Sequence, residues 1–154
     1  MKFNLEACAC AALLTVAGPA LGAASCSIQS VPTLGFPSYD VFNAAPTVTS
    51  QIANIKCTGL GGSDFTVGFG QSATSGTISG RQMAQSPGSG RLNYNIYKDG
   101  GYSALWGDGT AGTTPLLVSP TGANTSVPVY GKIDPGQDAP VGNYQDSVVM
   151  SVNP

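Results

Sequence analysis

The chain has 154 residues with six Lys or Arg, eight Asp or Glu and no His, a net charge of −2, and 9% charged against 42% hydrophobic residues. Cations this few and scattered make no phosphate-binding surface, so nucleic acid is not an expected partner, and without His the usual hydrolytic triad is absent. The length suits one domain with a real core.

From the N-terminus, residues 1–24 read as a secretory signal. Lys2 supplies the charge, Ala11 to Leu21 is mostly apolar, and Gly22, Ala23 and Ala24 are small residues suited to cleavage before Ser25. The apolar stretch contains Gly18 and Pro19 and falls short of the roughly 20 residues that span a bilayer. The expected organisation is a signal at 1–24 and one domain at 25–154. Export removes Cys8 and Cys10 and leaves Cys26 and Cys57, for which one disulfide is the natural reading in an oxidising compartment. Metal ligation is the weaker alternative, since two thiolates without His do not make a zinc site. Acylation of Cys26 as a lipoprotein is also weaker, because Ala23, Ala24 and Ser25 lack the usual leucine.

Beyond Cys26 the chain reads as short strands separated by turn chemistry, the pattern of a sandwich or barrel. Ile52 to Cys57 alternates, and Phe65, Val67 and Phe69 share one face of the next strand. Leu92, Tyr94 and Ile96 oppose Asn93, Asn95 and Tyr97 before Lys98-Asp99-Gly100-Gly101 turns the chain. Val127 to Ile133 follows, with Pro128 favouring an edge or a strand start. The last strand runs from Tyr144 to Val152, where Tyr144, Val148, Met150 and Val152 form an apolar row interrupted by Asp146. Such a strand is either a closing element or a surface that takes a partner.

Several local patterns have a functional and a plainer reading. Gly68-Phe69-Gly70 superficially matches a dinucleotide fingerprint but precedes a Ser/Thr/Gly loop instead of a helix, so strand glycines are expected. Asp108-Gly109 with Asp99 nearby lacks the acidic ligands of a calcium loop and reads as a turn. Trp106 and Tyr102 are a candidate ligand platform for a sugar ring, although a Trp buried between sheets is commoner. Arg81 with Met83 reads as structural, with an Asp as the expected partner of Arg81. The Asp residues sit in turn-like contexts or beside Gly, where they serve the backbone, and no facing carboxylate pair suggests a glycosidase. No catalytic residue, cofactor, metal or small-molecule substrate is expected.

The order of motifs is more specific than any one of them. Cys26, Gly35-Phe36, Tyr39-Asp40, Cys57-Thr58, Arg81-x-Met83 and Leu92-x-Tyr94-x-x-Tyr97-x-Asp99 are followed by Trp106-Gly107-Asp108-Gly109-Thr110, Val129-Tyr130-Gly131-x-Ile133 and Gly142-x-Tyr144-x-Asp146. This series resembles the spore coat protein U domain, the family that includes subunits of archaic chaperone-usher pili. The resemblance implies an all-β, immunoglobulin-like β-sandwich that lacks its last strand. It also implies a non-enzymatic structural or adhesive protein, secreted through the periplasm to the cell surface. Its implied partners are a periplasmic chaperone, an outer-membrane usher and a neighbouring subunit that donates a strand. Tyr144, Val148, Met150 and Val152 would then line the acceptor groove, with Cys26–Cys57 tying the first strand to the second. Polymerising members carry a long, alternately apolar stretch before the first cysteine, where only Ser25 stands here. At about 3.3 Å per residue so short a stretch spans no groove, and the expected role is a strand acceptor at a fibre end. The alternatives are a secreted coat or matrix protein outside any pilus, and a carbohydrate-binding module using Trp106 or Tyr102.

Overall fold

The structure, a computed structural model, describes residues 24–120 and 124–154; the expected signal segment lies outside them apart from Ala24. The described residues form ten strands and no helix. They are β1 (Ser25–Ser30), β2 (Thr47–Thr58), β3 (Phe65–Ser72), β4 (Gln82–Gln85), β5 (Arg91–Asn93), β6 (Asn95–Tyr97), β7 (Leu116–Val118), β8 (Thr125–Ile133), β9 (Tyr144–Gln145) and β10 (Val148–Asn153). A four-stranded sheet runs β1-β2-β8-β6, and two three-stranded sheets run β10-β3-β7 and β5-β4-β9. All pairings are antiparallel.

Period-2 patterning explains the layers. Ala53 and Ile55 of β2, Val127, Val129 and Ile133 of β8 and Ile96 of β6 point inward from the first sheet. They meet Phe65, Val67 and Phe69 of β3 and Met83 and Leu92 of the third sheet in one core. Burying each such side chain stabilises the fold by roughly 1.5–3 kcal/mol, which is what outweighs the backbone entropy of strands this short. The result is an all-β, immunoglobulin-like sandwich.

Cys26 and Cys57 are direct register partners on β1 and β2 and form the disulfide, with Cα atoms 4.1 Å apart. It closes a loop with a sequence separation of 31, worth roughly 3–4 kcal/mol in the chain-entropy model. The bond matters most for β1, which among the described residues pairs with β2 alone.

Two expected strands are divided. Leu92, Tyr94 and Ile96 do share the buried face, but β5 belongs to the third sheet and β6 to the first. The chain changes sheets at Tyr94, whose N–H donates to the carbonyl of Arg81. Likewise Tyr144 lies in β9, paired with β4, while Val148, Met150 and Val152 lie in β10, paired with β3. Asp146 and Ser147 separate them, because Asp146 turns to accept hydrogen bonds from the Thr74 N–H at 3.1 Å and the Tyr94 hydroxyl at 2.8 Å. Pro128 sits inside β8, which has neighbours on both sides, but β6 reaches only Tyr130 to Lys132 and leaves the Pro128 stretch paired with β2 alone.

Glycines in β3 admit a loop instead of a nucleotide. A Cβ on Gly68 would meet the Asp108 backbone at 2.9 Å, so the Trp106-Gly107-Asp108 segment lies directly against the strand. The Gly107 carbonyl there accepts from the Phe69 N–H. Asp108 itself accepts from the N–H and hydroxyl of Thr110, as its turn context suggested.

Candidate functional site: an open edge between the first and last strands

The inner row of β10 packs on the core without being sealed by it. Val148, Met150 and Val152 are half-buried, as is Tyr144 in β9, and all four contact the core cluster. On the other side Cys26 and Ile28 of β1 share the faces of Cys57 and Ile55 and are half-buried too. β10 pairs with β3 alone and β1 with β2 alone, and the two edges approach each other without a described strand between them. In an antiparallel sandwich such edges carry unpaired backbone N–H and C=O groups beside apolar side chains.

A cleft of about 750 Å³ lies among residues that follow β1 and precede β10 in the chain, and of the four residues expected to line the groove Tyr144 alone lines it. Its walls are residues 34–42 and 139–144, and Met83, Leu92 and Ile133 form its inner surface. Hydrogen bonds fix these walls. The Thr49 hydroxyl donates to the Gly35 carbonyl at 2.9 Å, and the Gln137 N–H to the Tyr39 hydroxyl at 2.8 Å. Gln137 also brackets Asn93, accepting its N–H at 2.7 Å and donating to its carbonyl at 2.9 Å. Gln85 donates to the Val141 carbonyl at 2.9 Å, and the Tyr144 hydroxyl to the Pro140 carbonyl at 2.6 Å. Tyr144 is thus anchored by its hydroxyl while its ring lines the cleft. The sequence reading missed Leu34, Phe36 and Tyr39, which follow no alternation, although the Gly35-Phe36 and Tyr39-Asp40 pairs marked the segment.

Arg81 organises the corner behind this edge. Its side chain is fully buried and its guanidinium donates to the Phe69, Gly70 and Trp106 carbonyls at 2.8–2.9 Å and to Asn95 Oδ1 at 3.0 Å. The expected Asp partner is replaced by carbonyls. Successive carbonyls of a regular strand point to opposite sides, so one nitrogen reaching both Phe69 and Gly70 requires a kink. The register supplies it: Val148 to Met150 on β10 matches Ser72 to Phe69 on β3, an extra residue in β3. Burial lowers the Arg81 pKa, opposed by the charges of Tyr94, Asp108 and Asp146, yet a guanidinium stays protonated.

Asp146 departs from the turn role expected of the aspartates. Burial disfavours its charge, but hydrogen bonds from Ser72, Tyr94, the Ser147 N–H and Thr74 hold its carboxyl below the ordinary range. Tyr94 is pushed up, first by burial and then by its bond to Asp146. Every polar partner in this corner is engaged, which suits fixing β9 and β10 in place.

Trp106 is not an exposed platform. It is 0% exposed, its indole N–H donates to the Val67 carbonyl at 2.8 Å, and Phe69 packs edge-on at 4.9 Å. A ring sealed on both faces offers no surface to a sugar, and the reason is the Gly68 approach that draws the loop inward. Tyr102 lies elsewhere, half-buried on the outer face of the first sheet.

The spore coat protein U domain model matches residues 11–151. Protein U of Myxococcus xanthus is 32% identical over 83% of this chain and 76% of its own length. Among solved structures, the chain resembles one in the CsuC–CsuE chaperone–tip adhesion subunit pre-assembly complex of the archaic chaperone-usher Csu pili of Acinetobacter baumannii. The TM-score is 0.59 at 18% identity, covering 85% of this chain and 40% of the other. The present chain therefore spans well under half of that structure, and the likeness concerns the fold. From the family match and the relationship to Protein U, the chain belongs to the spore coat protein U domain family.

Proposed function

We propose that this chain is a secreted structural subunit of a chaperone-usher fibre and that the edge between β1 and β10 accepts a strand from a partner. The supporting observation is the inner row Val148, Met150 and Val152, which has core chemistry, core contacts and, among the described residues, one neighbouring strand. An extended segment laid along β10 would satisfy its unpaired backbone groups and place alternate apolar side chains over Ile28 and Met150 and into the cleft beside Tyr144. Before assembly the same edge needs protection, and a periplasmic chaperone lending a strand would supply it. The Csu complex carries a chaperone with its subunit; for the present chain the chaperone, the usher and a donating subunit belong to the proposal.

The test is thermal unfolding of the disulfide-bonded chain alone and with a peptide copied from a candidate neighbouring subunit's alternately apolar N-terminal segment. A specific donor should raise the melting temperature strongly, since a ligand at a hundred times its Kd adds about 2.7 kcal/mol. Indifference to every donor peptide, in a stable monomer, would sink the reading and favour a self-sufficient coat or matrix protein. The fibre-end position belongs to the same proposal, and a copy of this chain found donating a strand to another would overturn it.

A further inference from the structure

The outer face of the first sheet, opposite the core and away from the groove, carries a cluster of three tyrosines. Tyr97 of β6 and Tyr130 of β8 are register partners. The turn after β6 brings Tyr102 back onto them, its ring 5.8 Å from Tyr97 and 6.3 Å from Tyr130 and at 86° to both. Tyr102 has a φ of 55°, in the left-handed region that a bulky side chain rarely adopts.

The turn is built to hold that conformation. Asp99 accepts from the Ser103 hydroxyl at 2.9 Å and the Ala104 N–H at 2.8 Å, and the Asp99 carbonyl accepts from the Tyr102 N–H at 3.1 Å. A Cβ on Gly100 would meet the Tyr130 ring at 3.4 Å, an ordinary contact distance that places the turn directly against that ring. Glycine would take the Tyr102 conformation without steric cost, and the chain places glycines at the two preceding positions but not at this one. A strained aromatic in a braced turn points to a role outside the turn.

The surrounding chemistry narrows that role. Lys132 sits over the Tyr97 ring, its ammonium 5.3 Å from the ring centroid and 2.9 Å from Asp134. The Tyr102 and Tyr130 hydroxyls have no partner among the described residues, and both rings are half-exposed. Beyond the tyrosines this face carries Val48, Ile52 and Pro128 among the short or charged side chains Ser27, Ser50, Asn54, Lys56 and Ser126. The three rings, each half-exposed, form a compact aromatic area that falls well short of a stable protein interface, which takes about 800 Å² per partner.

We propose that Tyr97, Tyr102 and Tyr130 bind a pyranose ring of a neutral polysaccharide. The apolar C–H face of the sugar packs on the exposed tyrosine rings, and its hydroxyls bond the free phenols and the Lys132–Asp134 pair. An anionic polymer is disfavoured, because Lys132 is already neutralised by Asp134 and the chain carries a net charge of −2.

The experiment is an NMR titration of the disulfide-bonded chain with cellohexaose, mannohexaose and chitohexaose, repeated with Tyr102→Gly and Tyr102→Phe. At least one sugar should shift resonances of Tyr97, Tyr102, Tyr130 and Lys132 and leave those of β10 unmoved, which separates this site from the groove. Tyr102→Gly should weaken binding by roughly tenfold or more with an unchanged or higher melting temperature, and Tyr102→Phe should retain most of the affinity. Two outcomes would overturn the proposal: no shift with any of the three sugars, or a Tyr102→Gly chain that binds as well as the parent and melts lower, which would assign the ring to packing of the turn.

Discussion

Val67 and Val152 stand opposite each other in the β3–β10 pairing, share the inner face, and end in different environments. Val67 is 0% exposed, because β10 covers one flank and Leu116 of β7 the other. Val152 has β3 on one flank only and remains half-exposed. The same holds across the first sheet, where Ile55 is sealed between β1 and β8 while its partner Ile28 on β1 is not. Residue chemistry is equal within each pair, so the number of strand neighbours decides burial. A row with core side chains and surface exposure is what one strand neighbour in place of two leaves, and the proposed acceptor role rests on it.

The largest effect should come from Arg81, where the sealed and open sides meet. Arg81→Ala leaves the Phe69, Gly70 and Trp106 carbonyls buried without their donor and removes the reason for the β3 kink. We expect a loss of about 3–5 kcal/mol in chemical denaturation. Arg81→Lys should rescue little, because one ammonium cannot reach the same spread of acceptors. A loss below about 1 kcal/mol would mean that the kink holds without the guanidinium and that the corner is fixed by strand pairing alone.

Truncating the two valines tests the comparison directly. In the isolated chain Val67→Ala should cost about 2–3 kcal/mol and Val152→Ala about 1, in proportion to the area each removes from water. With a donor strand bound, the cost of Val152→Ala should rise toward that of Val67→Ala, because a second neighbour then covers it. Denaturation midpoints of both variants with and without a donor peptide give the answer; equal costs in the isolated chain would show that the β10 row is already sealed.

How far the sequence carried these features depends on where the information sits. Alternation in Ile52 to Cys57, Phe65 to Phe69 and Val127 to Ile133 is a property of the segment itself, and each appears inside a strand with one of its two faces turned to the core. β7 is apolar throughout and β4 has Met83 as its one large apolar residue, so neither shows a period; their partners specify them. The sheet change at Tyr94 and the break at Asp146 leave the alternation of buried residues almost intact, and only a hydrogen-bond partner far along the chain reveals them. Trp106 illustrates the limit for sites: whether an aromatic is a platform or a core plug was decided by Gly68, distant in sequence, which lets the Trp106 loop close on β3. The β10 row was legible as an apolar face, but its periodicity could not separate a closing strand from an open one, since that depends on which strands pair; the family resemblance alone pointed to an open edge.

The smallest effect tests whether the Asp146 corner helps hold the open side. Its carboxyl sits below the ordinary value of 3.8 because the hydrogen bonds it accepts outweigh the cost of burial. The stability from those bonds is therefore fully present above that ordinary value and is lost as pH falls through the lower folded one. Tyr94 acts at the other end: raised above 10.0 by burial and by Asp146, its contribution is fully present below that value and is lost as pH rises through the folded one. Asp99 and Asp108 are lowered as well, by bonds from Ala104 and Thr110, so the acid slope of the parent is shared. Asp146→Asn should flatten part of it, and the difference between the two melting profiles isolates the corner. Hydrogen exchange locates the effect. Acid should release the amides tied to this corner, those of Ala73, Thr74 and β10, before those of β2 and β8. Equal loss on both sides would mean that the two edges differ by strand count alone, with Asp146 serving the whole sandwich.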